Sequence, residues 1–191
     1  MAMRFNDLKL TQIDLPAFTD EQIQEEPVIQ DATIEEALGQ GRELTRFFIK
    51  RVLPGVIRQD SRTRVNTSKL FVREGQQEGG WHIDTPFLDY DLSDSCYWGV
   101  LAIGDRRDME AVSAVELPVD FVMEKMMVGR FEDWVNEQIQ KGDLQVRRLR
   151  TGTFVESDFP FIHQGGKVVK NPGYRWIAEV YNPEPMRGHA I

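Results

Sequence analysis

The chain has 191 residues, 41% hydrophobic and 28% charged, with 11 Phe, 4 Trp and 4 Tyr. That is the length of one domain, 1–191, and its aromatic and apolar content excludes wholesale disorder. Lys and Arg number 23 against 31 Asp and Glu, a formal charge of −8, which argues against nucleic acid as a partner because such binding needs a positive footprint.

Other absences narrow the setting. No apolar run approaches the roughly 20 residues that span a bilayer, so no membrane partner is expected. The start, Met1-Ala2-Met3-Arg4-Phe5, has no apolar secretory core. A lone cysteine, Cys96, makes no internal disulfide and no cysteine-based zinc site. The expected location is cytoplasmic.

In chain order, residues 8–30 read as an extended segment with a short helix after Thr19-Asp20. Thr33-Ile34-Glu35-Glu36 fits a capping box. Ile34, Leu38, Leu44, Phe47, Phe48 and Val52 recur at helical spacing, and Pro54-Gly55 is expected to stop the run, so a helix is predicted over about 33–52. Val65 to Arg73 reads as a strand, and Glu74 to Gly80 as a turn. Trp81 to Thr85 is extended, and an acidic loop with Asp89, Asp91 and Asp94 follows. Cys96 to Ile103 fits a buried strand, with another at Val112 to Leu117. Helical period returns in 118–142 through Val122, Met126, Phe131, Trp134, Val135 and Ile139, with Gly142 placed as a terminator. Strands are predicted again at 144–149, 151–155, 161–163, 167–170 and 174–181. The fold class is therefore mainly β with flanking helices (α+β), a sandwich, jelly roll or barrel with the helices packed outside.

His82 and Asp84 stand two apart in an extended segment, so both side chains project to one face. An imidazole and a carboxylate from one strand, with an imidazole from a distant one, form the 2-His-1-carboxylate triad that holds non-haem Fe(II) with positions left open. The chain has 3 histidines, and His163, in another strand-like segment, is the available third ligand. A His-x-Asp pair alone arises by chance in about a quarter of chains of this composition. Its surroundings carry more.

Gly79-Gly80-Trp81-His82-Ile83-Asp84-Thr85-Pro86, then Thr151-Gly152-Thr153-Phe154-Val155, Phe161-Ile162-His163-Gln164-Gly165 and Tyr174-Arg175-Trp176 follow one another in an order that resembles the Fe(II)/2-oxoglutarate-dependent dioxygenase superfamily. The resemblance covers about 65–182, with 118–142 as an insertion and 1–64 as N-terminal support. It implies a double-stranded β-helix, a cupin-like jelly-roll core, with His82, Asp84 and His163 as metal ligands and catalytic centre. It implies that Arg175 binds the far carboxylate of 2-oxoglutarate, a role suited to a planar two-pronged cation. It further implies an oxidoreductase that uses O2, converts 2-oxoglutarate to succinate and CO2, and hydroxylates a substrate C–H bond. Asp84, rather than Gly or Ala, argues against the halogenase variant. The expected partner is a small-molecule substrate, an amino acid or other metabolite, with a protein side chain second.

Two alternatives share the fold: a cupin-like metalloenzyme that does not use 2-oxoglutarate, and a jelly-roll binding domain without catalysis. Cupin sites usually recruit more histidines than this chain has to spare. The remaining candidates have plain readings. Trp81 and Phe161 read as core before they read as the wall of a metal site, and Lys69 and Arg73 as solvent-exposed before they contact an acidic substrate. The acidic loop reads as solvated, and His189 as a tail residue.

Overall fold

Antiparallel strands carry most of the order in the computed structural model, which describes residues 4–6, 9–56, 62–73, 80–82, 97–103, 109–112, 114–116, 130–157, 162–165 and 172–182. The strands are β1 (Arg4–Asn6), β2 (Lys9–Gln12), β3 (Ile29–Thr33), β4 (Arg64–Val72), β5 (Tyr97–Ile103), β6 (Met109–Val112), β7 (Ala114–Glu116), β8 (Val146–Leu149), β9 (Thr153–Ser157), β10 (His163–Gly165) and β11 (Gly173–Asn182). Six form one sheet in the order β2-β9-β5-β11-β4-β3, three form a second in the order β10-β6-β8, and β1 pairs with β7. The chain is thus mixed α+β, with antiparallel sheets and short helices. No helix among the described residues is long and apolar enough to cross a membrane.

Strand β11 is the spine of the larger sheet. It pairs with β4 from Gly173↔Val72 to Tyr181↔Arg64, and with β5 from Trp176↔Ile103 to Asn182↔Tyr97. Alternation gives it two unlike faces. Trp176, Ala178 and Val180 are buried in the main core with Val65, Leu101, Ile103 and Phe154. Arg175, Ile177, Glu179 and Tyr181 point the other way.

The first face is covered by helices. α1 (Asp20–Glu25) starts at Thr19, whose side chain accepts from the Gln22 N–H in a capping box. α2 (Ile34–Gln40) starts at Thr33 in the predicted box: the Glu36 N–H donates to Thr33 Oγ1 at 3.2 Å, and the Thr33 N–H to Glu36 Oε2 at 2.8 Å. The single helix predicted over 33–52 is divided. α2 ends at Gly41, which turns extended with ψ 155°. After it come α3 (Glu43–Phe47), a π-helical turn over Phe48–Val52, and α4 (Leu53–Val56). Pro54 and Gly55, expected to stop the run, lie inside α4. The apolar period survives the break, and Leu44, Phe48, Ile49, Val52 and Leu53 all enter the core.

The break is stabilised by one buried carboxylate. Arg42, which precedes α3, makes no side-chain cap. Glu26 instead accepts from the backbone N–H of Arg42 at 2.9 Å, Leu44 at 3.2 Å and Thr45 at 3.1 Å. These are the donors a helix start leaves unpaired, and a negative charge suits that end of its dipole. Lys69 of β4 donates to the carbonyls of Gln24 and Glu26 at the end of α1. It is therefore a helix-terminating contact and not the solvent-exposed residue expected from its alternation.

α5 (Phe131–Lys141) occupies part of the predicted 118–142 insertion, and residues 117–129 lie outside the described residues. It ends at Gly142, whose φ of 81° is the left-handed conformation that glycine adopts without a Cβ penalty. Its Phe131 and Val135 pack with Trp81, Leu144 and Ile162 in a second core.

Removing the Glu26 carboxylate should orphan three amide groups at once. Glu26→Ala is expected to cost about 3 kcal/mol in urea unfolding, and Glu26→Gln, which keeps an acceptor oxygen, about 1–2 kcal/mol. The hydrogen bond from the Thr33 backbone, then that from its side chain, holds the Glu36 carboxyl below its ordinary 4.5. Its contribution is therefore present above that value and fades as pH falls through the lowered one. A carboxyl-carbon NMR titration should find this low midpoint, and Thr33→Ala should move it back toward normal.

Candidate metal centre

The two histidines singled out from sequence meet in space. His82 lies beside His163 in an isolated antiparallel bridge. The His82 N–H donates to the His163 carbonyl and the His163 N–H to the His82 carbonyl, each at 2.9 Å. Their ring centroids are 4.4 Å apart with planes inclined at 55°. On its other side, His163 is registered with Ala111 of β6. The His82 segment therefore extends the smaller sheet past β10, giving the order His82 segment, β10, β6, β8.

Alternation explains why both rings share a face. Trp81 and Ile162, each one residue earlier, are buried against α5. With period two, the next side chain on each segment must project to the opposite face. The apolar anchors thus aim the imidazoles. Trp81 also donates its indole N–H to Asn136 Oδ1 of α5 at 3.2 Å, which fixes the rotation of the His82 segment against the helix. Trp81 follows the core reading and lies on the far side of the strand from the imidazoles.

His82 Nδ1 lies 2.8 Å from the Gly80 carbonyl. A carbonyl only accepts, so in the neutral ring this contact places the proton on Nδ1. That is the arrangement of a ligating imidazole whose second nitrogen is held by a backbone acceptor. His163 is 7% exposed and His82 is half-buried, so both groups lie in a partly dry setting. Two imidazoles on neighbouring octahedral positions of one ion, at about 2.1 Å each, have ring centres about 4.6 Å apart. The observed separation fits that spacing.

Asp84, the expected carboxylate ligand, lies outside the described residues, as do Phe161 and the loop with Asp89, Asp91 and Asp94. Among the described residues there is no group of three metal-ligating side chains. Arg175 is described and is 4% exposed. It occupies an interior strand, registered with Leu70 of β4, and projects from the β11 face opposite the helices. The ordinary reading of such an arginine, a solvated side chain on a sheet edge, does not apply.

Sequence reading missed the supports of the pair. Gly80 acts through its carbonyl, which no residue type advertises. Asn136 is an exposed polar position on an amphipathic helix, with no periodic signal to separate it from its neighbours.

Trp81→Ala should cost about 3–5 kcal/mol through cavity formation, whereas Trp81→Phe, keeping a ring in place, should cost about 1–2 kcal/mol. Nitrogen NMR of the metal-free protein near neutral pH should find His82 protonated at Nδ1 in its neutral form; an Nε2–H tautomer would contradict the Gly80 contact. Searches of family models, of curated proteins and of solved structures find no match to this chain.

Proposed function

We propose that the protein is an Fe(II)- and 2-oxoglutarate-dependent oxygenase that hydroxylates a small molecule, an amino acid or related metabolite. The observation that carries this reading is the bridge between His82 and His163. Two of only 3 histidines in the chain, 81 residues apart, were selected from sequence as ligands of one ion, and they stand side by side with ring centroids 4.4 Å apart.

The strand order supports a double-stranded β-helix. Eight successive segments can be taken as β4, the His82 segment, β5, β6, β8, β9, β10 and β11. The larger sheet then runs sixth, third, eighth, first, and the smaller runs second, seventh, fourth, fifth. That interleaving is the one produced by the two Greek keys of a jelly roll. On this reading β2 and β3 are additions at the two edges of the larger sheet, and β1 with β7 stands outside the eight.

In this proposal His82, His163 and Asp84 hold the metal, and Asp84 supplies the negative charge that two neutral imidazoles lack. The bound Fe(II) and 2-oxoglutarate would supply the oxidising chemistry, with O2 as oxidant. The protein's own groups do the rest. Gly80 holds the proton of His82 on Nδ1 and leaves Nε2 for the metal. Trp81 and Ile162 fix the two segments against α5. Arg175 offers a permanently charged planar fork from the interior strand, where burial strengthens its attraction for a carboxylate. The C5 carboxylate of 2-oxoglutarate is the matching partner.

The test is spectroscopic. Anaerobic protein with Fe(II) and 2-oxoglutarate is expected to give the weak visible charge-transfer band of the chelate. His82→Ala should abolish it, and Arg175→Ala should raise the 2-oxoglutarate concentration needed to saturate it by at least about tenfold, as expected for loss of a charged two-pronged contact. Bound iron without a band would overturn the 2-oxoglutarate assignment and favour a cupin-like metalloenzyme. Failure to bind metal would overturn the metal centre itself.

A further inference from the structure

One face of the helical layer carries a charge opposite to that of the chain. Leu44 and Thr45, Phe48 and Ile49, and Val52 and Leu53 are buried in pairs that recur every four residues. A regular α-helix takes about 3.6 residues per turn, so each repeat would carry the pair about 40° further round, away from the sheet. The π-helical turn over Phe48–Val52 has more residues per turn and takes up that drift. It brings the solvent side into line as well. Arg46, Lys50 and Arg51 are all exposed and gather on that side, although positions five apart in an unbroken α-helix diverge by about 140°.

Acidic residues outnumber basic ones 31 to 23, and Lys9, Arg42, Arg64 and Lys141 each stand beside a carboxylate. Arg46, Lys50 and Arg51 enter no ion pair among the described residues. Three cations left together in an acid-rich chain form a surface for an anionic partner. The matching surface is on the chain itself. α5 buries Phe131, Val135 and Gln138 and exposes Glu132, Asp133 and Glu137. Glu137 accepts from Lys141 at 2.5 Å and, as a carboxylate, keeps further acceptor positions. Glu132 rests against Gly80, where no Cβ intervenes, and neither it nor Asp133 enters an ion pair among the described residues.

The spacings correspond. Along the basic face the cations follow one another at intervals of four and one; along α5, read backwards from Glu137 through Asp133 to Glu132, so do the carboxylates. Two such helices laid antiparallel set Arg46 against Glu137, Lys50 against Asp133 and Arg51 against Glu132. Arg42 and Lys141, which this alignment brings to one end, are already neutralised by Glu25 and Glu137. α3 lies over the larger sheet, and α5 packs on Trp81 and Ile162 beside the smaller one. Each copy therefore offers the two faces from different layers.

We propose that these faces join copies of the chain head to tail, the basic face of one seated on α5 of the next. Association through one face of each kind is heterologous, and it continues until a ring closes or a chain of copies runs on. Exposed ion pairs are individually weak, so the contact is reversible and sensitive to salt. The net charge of −8 repels copies at long range. At about 0.1 M salt, however, charges more than about 10 Å apart are largely screened, while side chains in contact still attract.

Sedimentation equilibrium of the full chain tests this. At about 0.1 M salt the mean mass should rise with protein concentration, and it should return to that of the monomer at about 1 M, where the screening length falls to about 3 Å. Two triple variants isolate the faces: Arg46→Gln with Lys50→Gln and Arg51→Gln, and Glu132→Gln with Asp133→Asn and Glu137→Gln. All six positions are exposed, and an unchanged amide NMR spectrum away from them shows that each variant folds. Each alone should associate at least about tenfold more weakly than the unaltered chain. An equal mixture of the two should form dimers and nothing larger, because one intact face of each kind remains. A monomer mass at every concentration, association that either folded variant leaves undiminished, or a mixture without dimers overturns the proposal. A monomeric protein in which a polyglutamate peptide shifts the amides of Arg46, Lys50 and Arg51 overturns it too, and gives the basic face to a different acidic polypeptide.

Discussion

A strand with hydrogen-bonded neighbours on both sides cannot slip by one residue without exchanging its two faces. β11 is such a strand, and its register decides most of what the protein is. A one-residue shift would drive Arg175 and Glu179 into the helix-covered core and expose Trp176, Ala178 and Val180. Burial of Trp176 and its neighbours holds the register by the hydrophobic effect, at about 25 cal/mol per Å² of apolar surface. The polar face is thereby fixed without having to stabilise itself. Its charged groups can remain on that face because the other face supplies the energy.

The same logic holds the smaller sheet. Trp81 and Ile162 contribute nothing chemical, yet their insertion against α5 dictates where His82 and His163 point. The helical layer depends on a different device. Gly41 interrupts the predicted helix, and Glu26 substitutes for the missing cap at the restart. The carboxylate lets the chain change direction while Leu44 and Phe48 stay over the sheet. A break that would otherwise leave buried amide groups unpaired is made compatible with a dry core.

Much of this was legible in the residues because it depends on local period. The capping box at Thr33 and the Gly142 terminator were readable because their partners lie within a few residues. The strands near 65–73, 96–103 and 174–181 carried strong apolar or β-branched texture. What sequence could not display was pairing at a distance. That Glu26 caps a helix start 16 residues on, that Lys69 closes the end of α1, and that β3 bulges against β4 are consequences of tertiary placement. Pro54 misled because proline near a helix start costs little, and α4 is a single turn that begins just before it. At the candidate site, His82 and His163 were found through spacing and order. Their supports, the Gly80 carbonyl and Asn136, had no chemical signature to read.

The bridge between His82 and His163 joins segments 81 residues apart. Contacts of that separation form slowly, since the intervening chain must surrender its freedom before the contact rewards it. During synthesis, a ribosome that has released everything through β9 still holds a protein with one of the two histidines and none of the pairing. The pairing of the imidazoles becomes possible only once β10 has been made. A chain stalled after β9 therefore carries the helical segments and the strands on either side of β11, but neither the spine that joins them nor a place where these two rings can meet.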